Sequence, residues 1–462
     1  MWTGRCRVQR GQNRRTRDGD ADTPIEWGAQ IKAGVDRQPT TRRSGTRSIV
    51  APGIEAVGWR GRCVIDDDVG GGRGMQSGMM IFTQMNRVLF GQPAARAIVA
   101  EADRLGAKRV FLLTGHTLHT KTEEVAKVKQ ALGARFAGIH DHMPAHSPRE
   151  AVVACANAAR EAGCDLLVTF GGGSVTDGGK AVTICLEHGV TDEDGMEPFR
   201  SVVDNGKRTV PVFRAPKIRQ IAVPTTLSAG EFNARAGVTD TRLHLKQSFM
   251  HAGIVPESVI LDPAVTVHTP EWLWLSSGVR AVDHAVETLL SLDANDYTDG
   301  TALQALRALG AGLPLVKANP NDLDARLRCM MGAWLSMVGI VTGTRLGASH
   351  AIGHILGGSA NVPHGHTSCV MMPYVLDYNA SVNGDRQREV ATAMGQPGQR
   401  AAEVVEAFIR GLGMPRRLRE VGVEETDLPR LAKNCMLDDW TYSNPRPISS
   451  PEQVMEILRA AY

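Results

Sequence analysis

The sequence predicts an α/β lobe followed by an all-α lobe, on three observations. At 462 residues the chain exceeds the roughly 250–300 residues at which single cores stop growing, so two lobes with a cleft between them are expected. From Met80 onward, strand-like apolar runs alternate with helical patterns, as they do in a parallel sheet covered by helices. Later in the chain, apolar faces recur with helix period and strand runs are few. The boundaries read from these shifts are a disordered extension over 1–78, an α/β domain over 79–239 and an all-helical domain over 240–462.

The first stretch mixes Arg, Gly, Asp and Thr without helix or strand period and ends in Gly70-Gly-Gly-Arg-Gly74. Such low hydrophobicity does not offset the entropy of ordering a chain. Its acids, among them Asp18, Asp20, Asp22, Glu26 and Asp66 to Asp68, argue against an organellar transit peptide. The expectation is a disordered extension, for which sequence read in upstream of a start near Met75, Met79 or Met80 is one origin. Next come an amphipathic helix over Pro93–Leu105, a buried strand over Arg109–Thr114, helices over Thr122–Leu132 and Arg149–Ala162, and a strand over Asp165–Phe170. Helix-period faces mark Gly278–Leu292, Leu303–Val316, Asp324–Val338, Leu346–Leu356 and Ala401–Leu412.

Composition is that of a globular protein, 42% hydrophobic and 22% charged, and no apolar run approaches the roughly 18 residues of a membrane helix. Of the 52 Lys and Arg and 49 Asp and Glu, 14 and 9 fall in residues 1–80, leaving 38 against 40 in the body. A near-neutral body argues against nucleic acid, which calls for a basic stripe. The eight cysteines, Cys6, Cys63, Cys155, Cys164, Cys185, Cys329, Cys369 and Cys435, form no Cys-x-x-Cys pair and read as reduced thiols of a cytoplasmic protein.

The strand ending at Phe170 runs into Gly171-Gly-Gly-Ser-Val-Thr-Asp-Gly-Gly-Lys180, after which Ala181–Leu186 continues a helix. Strand, glycine triplet and helix start make a phosphate site: glycines let backbone N–H groups approach an anion, and the helix N-terminus adds partial positive charge. Ser174 and Thr176 can cap that helix or bond phosphates. A plain strand-to-helix turn requires neither Asp177 nor Lys180, which favours Gly171, Gly172, Gly173, Ser174, Asp177 and Lys180 as the binding site of a cofactor diphosphate. No Gly-x-Gly-x-x-Gly is present there. A second loop, Ile221–Glu231, follows an apolar strand and offers the hydroxyls of Thr225, Thr226 and Ser228 to a ribose or an amide.

His350 and His354 are four residues apart, so on a helix they share a face. Pro363 and Gly365 bracket His364 in a turn that can bring a third imidazole back. A lone histidine there would read as a satisfied helix end, whereas three converging imidazoles, with His366 close by, can bind a metal or move protons.

These motifs, together with Ile260-Leu-Asp-Pro263 and Gly278-Val-x-Ala-x-x-His-Ala-Val-Glu287, stand in the order in which they resemble the iron-containing (group III) alcohol dehydrogenases. The resemblance covers about Met80 to Tyr462 and, within that group, is strongest to maleylacetate reductases, enzymes of aromatic-compound degradation. It implies a Rossmann-like nucleotide domain, an all-helical domain of the dehydroquinate synthase-like fold, NADH or NADPH in the cleft, and a homodimer. Metal-binding members carry Asp four residues before the helix histidine, where this chain has Arg280. The histidines matching the family's metal positions are His284, His350 and His364, which can hold iron or zinc, but a guanidinium beside them opposes any divalent ion. Asp283 points about 100° away from His284 on a helix, and Glu287 looks like a residue supporting the ligands.

The expectation is therefore that Arg280 replaces the metal and binds a substrate carboxylate through its planar fork; the bland alternative is a salt bridge to Asp283 or Glu287. His284, His350 and His364 would line the reacting group, with His354 as proton donor. Arg235 and Lys246 could add anion contacts, but solvated surface positions are the expectation for both. Gly115 lies where NAD-specific relatives often have Asp, so NADPH would be admitted beside NADH. The expected activity is reduction of maleylacetate or a similar unsaturated or keto dicarboxylate. The competing readings are a metal-dependent dehydrogenase of a small alcohol or aldehyde, a dehydroquinate synthase-like lyase, and a noncatalytic cofactor-binding protein.

Overall fold

A computed structural model describes residues 78–204, 207–243 and 245–462. The extension expected over 1–78 lies, but for Gly78, outside the described residues. In chain order the first half holds β1 (Arg87–Phe90), α1 (Ala94–Leu105), β2 (Val110–Thr114), α2 (His116–Lys121), α3 (Glu124–Leu132), β3 (Phe136–His140), α4 (Arg149–Glu161), β4 (Leu166–Gly171), α5 (Gly173–His188), β5 (Arg200–Asp204), β6 (Lys207–Thr209), β7 (Arg219–Pro224), β8 (Arg235–Asp240), β9 (Leu245–Met250) and β10 (Ser258–Leu261). The second half is helical: α6 (Glu271–Leu290), α7 (Asp296–Ala318), α8 (Leu323–Thr342), α9 (Ala348–Ala360), α10 (His364–Ala393), α11 (Ala401–Gly411), α12 (Leu428–Cys435) and α13 (Pro451–Ala461).

Six strands form a parallel sheet in the order β1-β10-β7-β4-β2-β3. Its central strands are buried on both faces, which is why they read as unbroken apolar runs. Along β4, Leu166, Val168 and Phe170 pack toward α1 and α3, while Leu167 packs toward α4 and α5. The edge strands β1 and β3 are only partly buried and carry no such signal. β5, β6, β8 and β9 form a second, antiparallel sheet.

The changeover to helix, expected at residue 240, falls instead at Glu271: β9 and β10 lie between the two positions, and β10 pairs between β1 and β7 in the main sheet. Short partly exposed strands such as β9 lack the run length that marks a buried one. α6 is the central helix, with every residue from Trp274 to Leu290 buried. One apolar core joins Leu227, Val259 and Leu261 on the sheet side to Val279, Val282 and Val286 of α6 and to α7, α8 and α10. α9 and α10 pack with α12 and α13 in a separate cluster. No described helix is long and apolar enough to cross a membrane.

Candidate active site

β4 and β7 are neighbours in the sheet, with Gly171 opposite Pro224, so the two loops singled out in the sequence emerge side by side at the C-terminal ends of parallel strands, where open α/β sheets bind ligands. Thr225 donates its backbone N–H to Gly171 O at 3.0 Å. A Cβ on Gly172 would lie 3.0 Å from Thr226 Cγ2, and one on Gly173 would lie 3.0 Å from Ser228 Oγ, so the glycines are what let the loops meet. α5 starts at Gly173 without a side-chain cap, leaving first-turn N–H groups for an anion. This cradle fits a coenzyme diphosphate. Ser174 Oγ accepts from the His146 N–H at 2.9 Å and keeps its own proton for another partner.

Asp177 and Lys180 do not stand at that cradle. Lys180 is fully buried and its Nζ donates to Gly230 O at 2.5 Å, Arg235 O at 2.8 Å, Asp177 Oδ1 at 3.1 Å and Asn233 Oδ1 at 3.3 Å. Asp177 Oδ2 accepts the Gly237 N–H at 3.0 Å. The pair staples α5 to the chain entering β8, Lys180 taking up the Gly230 and Arg235 carbonyls and Asp177 the Gly237 N–H. Across the sheet edge, the carboxylate of Asp141 accepts from His119 at 2.6 Å and from His116 at 3.3 Å, next to Gly115, the N-cap of α2.

The helical lobe supplies the chemistry. On α6, Arg280, Asp283, His284 and Glu287 share one face, buried in the molecule's interior. Glu287 lies at the start of α9 and accepts backbone N–H groups of Gly347, Ser349 and His350 at 2.9–3.3 Å and His350 Nδ1–H at 2.7 Å. It thus satisfies a helix N-terminus that has no side-chain cap of its own. Burial and the nearby Asp283 nevertheless push its carboxyl upward. Asp283 Oδ2 accepts from Ser349 Oγ at 2.7 Å and from Ser368 Oγ at 2.6 Å. Arg280 Nη1 donates to Ser368 Oγ at 3.0 Å and lies 3.9 Å from Asp283. The salt bridge weighed from the sequence is therefore present, but loose.

His284 and His350 stack with ring centroids 4.9 Å apart, and the rings of His354 and His364 are parallel at 6.3 Å. His364 does not sit in a turn: Pro363 is the N-cap and His364 the first residue of α10, since proline suits a helix start. Burial, reinforced by the Arg280 charge, holds His284 and His350 well below the usual histidine value. For His364 the Arg280 charge comes first. His354 is also lowered by burial, against the pull of Asp438, whose Oδ2 accepts from His354 Nδ1 at 2.9 Å. Trp440 walls this corner, 5.2 Å from His354 and 5.8 Å from His350 by ring centroids.

This donor set does not fit a divalent ion. Among the described residues of this region, the ligand atoms within 4.8 Å of one another belong to Asp283, Glu287 and His350, not to His284, His350 and His364 as the histidine pattern suggested. Glu287 is already taken up by His350 and the α9 N–H groups, and Asp283 Oδ2 by Ser349 and Ser368, while Asp283 Oδ1 is buried without a partner. The Arg280 guanidinium puts a fixed positive charge among the imidazoles, where a cation would meet repulsion. His284 Nδ1, His350 Nε2 and Arg280 Nε are buried without partners; Arg280 Nε is a donor that a bound anion or water would satisfy, whereas His350 Nε2, whose ring proton sits on Nδ1, accepts and calls for a donor such as water.

Arg235 and Lys246 are not bystanders. Arg235 lines the cleft with His354, Asp438 and Trp440. Lys246 is exposed, yet its charge helps depress His364. Both lie on the β8–β9 hairpin, which the strand reading missed. Asp438 and Trp440 were also missed, because they sit in the 3-10 segment after α12 and reach the histidines only through the tertiary fold; the acidic pair next to Trp in Leu437-Asp-Asp-Trp440 is the one local signal.

Comparisons agree with this geometry. The family description "Iron-containing alcohol dehydrogenase" matches residues 85–263, and "Fe-containing alcohol dehydrogenase family, C-terminal" matches 274–462. Dehydrogenase ALT3 of Alternaria alternata is 32% identical over 391 residues, 77% of this chain and 99% of that protein. Maleylacetate reductase 2 of Cupriavidus pinatubonensis is 32% identical over 379 residues, covering 81% of this chain and 94% of that protein. The crystal structure of maleylacetate reductase from Agrobacterium tumefaciens superposes with a TM-score of 0.71 at 28% identity, covering 84% of this chain and 99% of that one.

Proposed function

Because the chain belongs to the iron-containing alcohol dehydrogenase family, whose members are oxidoreductases, we propose that it is an NAD(P)H-dependent reductase of an unsaturated or keto dicarboxylic acid of the maleylacetate type. The observation that carries this reading is the Arg280 guanidinium, buried among His284, His350 and His364, where the family's metal would stand. A nicotinamide coenzyme, held by Gly171, Gly172, Gly173, Ser174, Thr225, Thr226 and Ser228, supplies the hydride when bound. Arg280 draws a substrate carboxylate or carbonyl oxygen to the imidazole cluster and stabilises the negative charge that develops as the double bond is reduced. His354, oriented by Asp438, delivers the proton that converts the resulting enolate or alkoxide to product. Trp440 shields that proton transfer from water. The glycine cradle and the imidazole cluster lie in different lobes, so the reaction takes place in the cleft between them.

A substrate screen tests the reading. NADH or NADPH should be oxidised when maleylacetate is added, faster than NAD is reduced with simple alcohols. Alcohol oxidation without reduction of any unsaturated or keto acid would contradict it.

A further inference from the structure

Between the lobes, next to the proton donor, lies a cavity of about 170 Å³, far above the roughly 10–15 Å³ that a single water needs. Arg208 of β6 and Arg235 of β8 line it from the nucleotide lobe; His354, Asp438, Asp439 and Trp440 line it from the helical lobe. We propose that Arg235, assisted by Arg208, binds the far carboxylate of a dicarboxylic substrate that lies across His354. This rests on the reductase reading above and names the residues that make that site prefer acids charged at both ends.

Arg235 carries the inference. Its backbone is fixed on both sides, its N–H by Asn233 Oδ1 at 2.8 Å and its carbonyl by Lys180 Nζ at 2.8 Å. Its guanidinium makes no hydrogen bond or ion pair among the described residues. Arg235 is partly buried and faces the cavity, so its planar five-donor group is open to a ligand that supplies an acceptor. The carboxylates in the cavity do not fill that role. Asp438 is committed to His354 Nδ1 at 2.9 Å and to the Trp440 N–H at 3.0 Å. Asp439 is half exposed and stands 3.7 Å from Arg208, outside hydrogen-bond range. A substrate carboxylate entering here meets two guanidinium forks suited to bidentate pairing. Arg235 lines the cavity together with His354, and the Arg280 charge also reaches that imidazole, so each lobe brings a cationic group near the proton donor. An acid charged at both ends satisfies both; a monocarboxylate leaves one unpaired.

The test is a titration of the NADH-saturated protein with succinate and with propionate, in the wild type and in Arg235→Leu, Arg235→Lys and Arg208→Leu, with melting temperature as the fold control. The wild type should bind succinate at least tenfold more tightly than propionate. Arg235→Leu should erase that difference, Arg235→Lys should keep part of it, and Arg208→Leu should reduce it without unfolding the cleft. Equal binding of the two acids by the wild type, or undiminished succinate preference in Arg235→Leu, would overturn the proposal. Maleylacetate-driven NADH oxidation by the wild type, measured in parallel, separates the two levels: its absence counts against the reductase reading, while the succinate preference judges the subsite by itself.

Discussion

His354 is useful as a proton donor only in one tautomer and one orientation, and Asp438 sets both. With Nδ1–H donated to the carboxylate, Nε2 is the nitrogen that takes up and delivers the proton, and the same carboxylate raises the pKa that burial depresses. A general acid works when protonated, so kcat for reduction should fall as pH rises, along a limb whose midpoint lies below the ordinary histidine value. Asp438→Asn removes the raising influence, so that midpoint should move to lower pH and kcat at neutral pH should drop on the order of tenfold, a part of what a positioned acid contributes. A pH–rate profile of both proteins checks this; an unshifted limb would remove Asp438 from the mechanism. The histidines themselves were legible from the spacing of His350 and His354 and from the later His364. Asp438 was not, because it lies 84 positions from its partner and nothing near it in sequence requires a carboxylate.

The first turn of α10 packs against α6 this closely because Gly365 has no side chain. A Cβ there would lie 2.6 Å from Ser276 Oγ and 2.7 Å from the Ser276 carbonyl carbon. The second of these is backbone, which cannot swing aside. Gly365→Ala should therefore cost about 1–3 kcal/mol through overpacking and shift the first turn of α10, carrying His364 with it. Thermal melting together with kcat/KM should show both losses; a melting point and activity equal to wild type would mean that α6 and α10 do not meet this closely. At this scale the buried strands β2 and β4 were readable, whereas the edges were not, and nor were the short buried β10 and the long helix α10. β2 and β4 stood out as apolar runs because both of their faces are covered. β1, β3 and the β8–β9 hairpin were missed because partial exposure breaks the apolar pattern. The Asp177–Lys180 signal was real but misassigned: the residues are there for a buried staple, and a local motif does not reveal which partner its side chains meet.

Across the whole molecule, burying cationic-capable rings beside a fixed guanidinium has a thermodynamic consequence. His284, His350, His354 and His364 are all shifted down, so the unfolded chain binds more protons than the folded one once pH falls below about 6.5. Stability is then lost on acidification through the depressed folded values. Glu231, Asp262, Asp283, Glu287 and Asp377 are shifted up and oppose this, but His140, His146, His251 and His366 are also shifted down, so the histidines outnumber them among the described residues. The melting temperature should fall as pH is lowered from about 6.5; a flat or rising profile would show that the imidazoles are not held neutral. The two-lobe plan, its sheet and its helical half followed from length and periodicity, whereas the position of the changeover did not, since β10 returns to the main sheet after a hairpin that the sequence leaves unmarked. The central claim is that a guanidinium does here what a metal ion does in metal-binding relatives. The most direct measurement is the rate of NADH oxidation with maleylacetate after exhaustive removal of metals by chelation. The account predicts an undiminished rate that added Fe²⁺ or Zn²⁺ does not raise; a rate that vanishes on stripping and returns with either ion would contradict it.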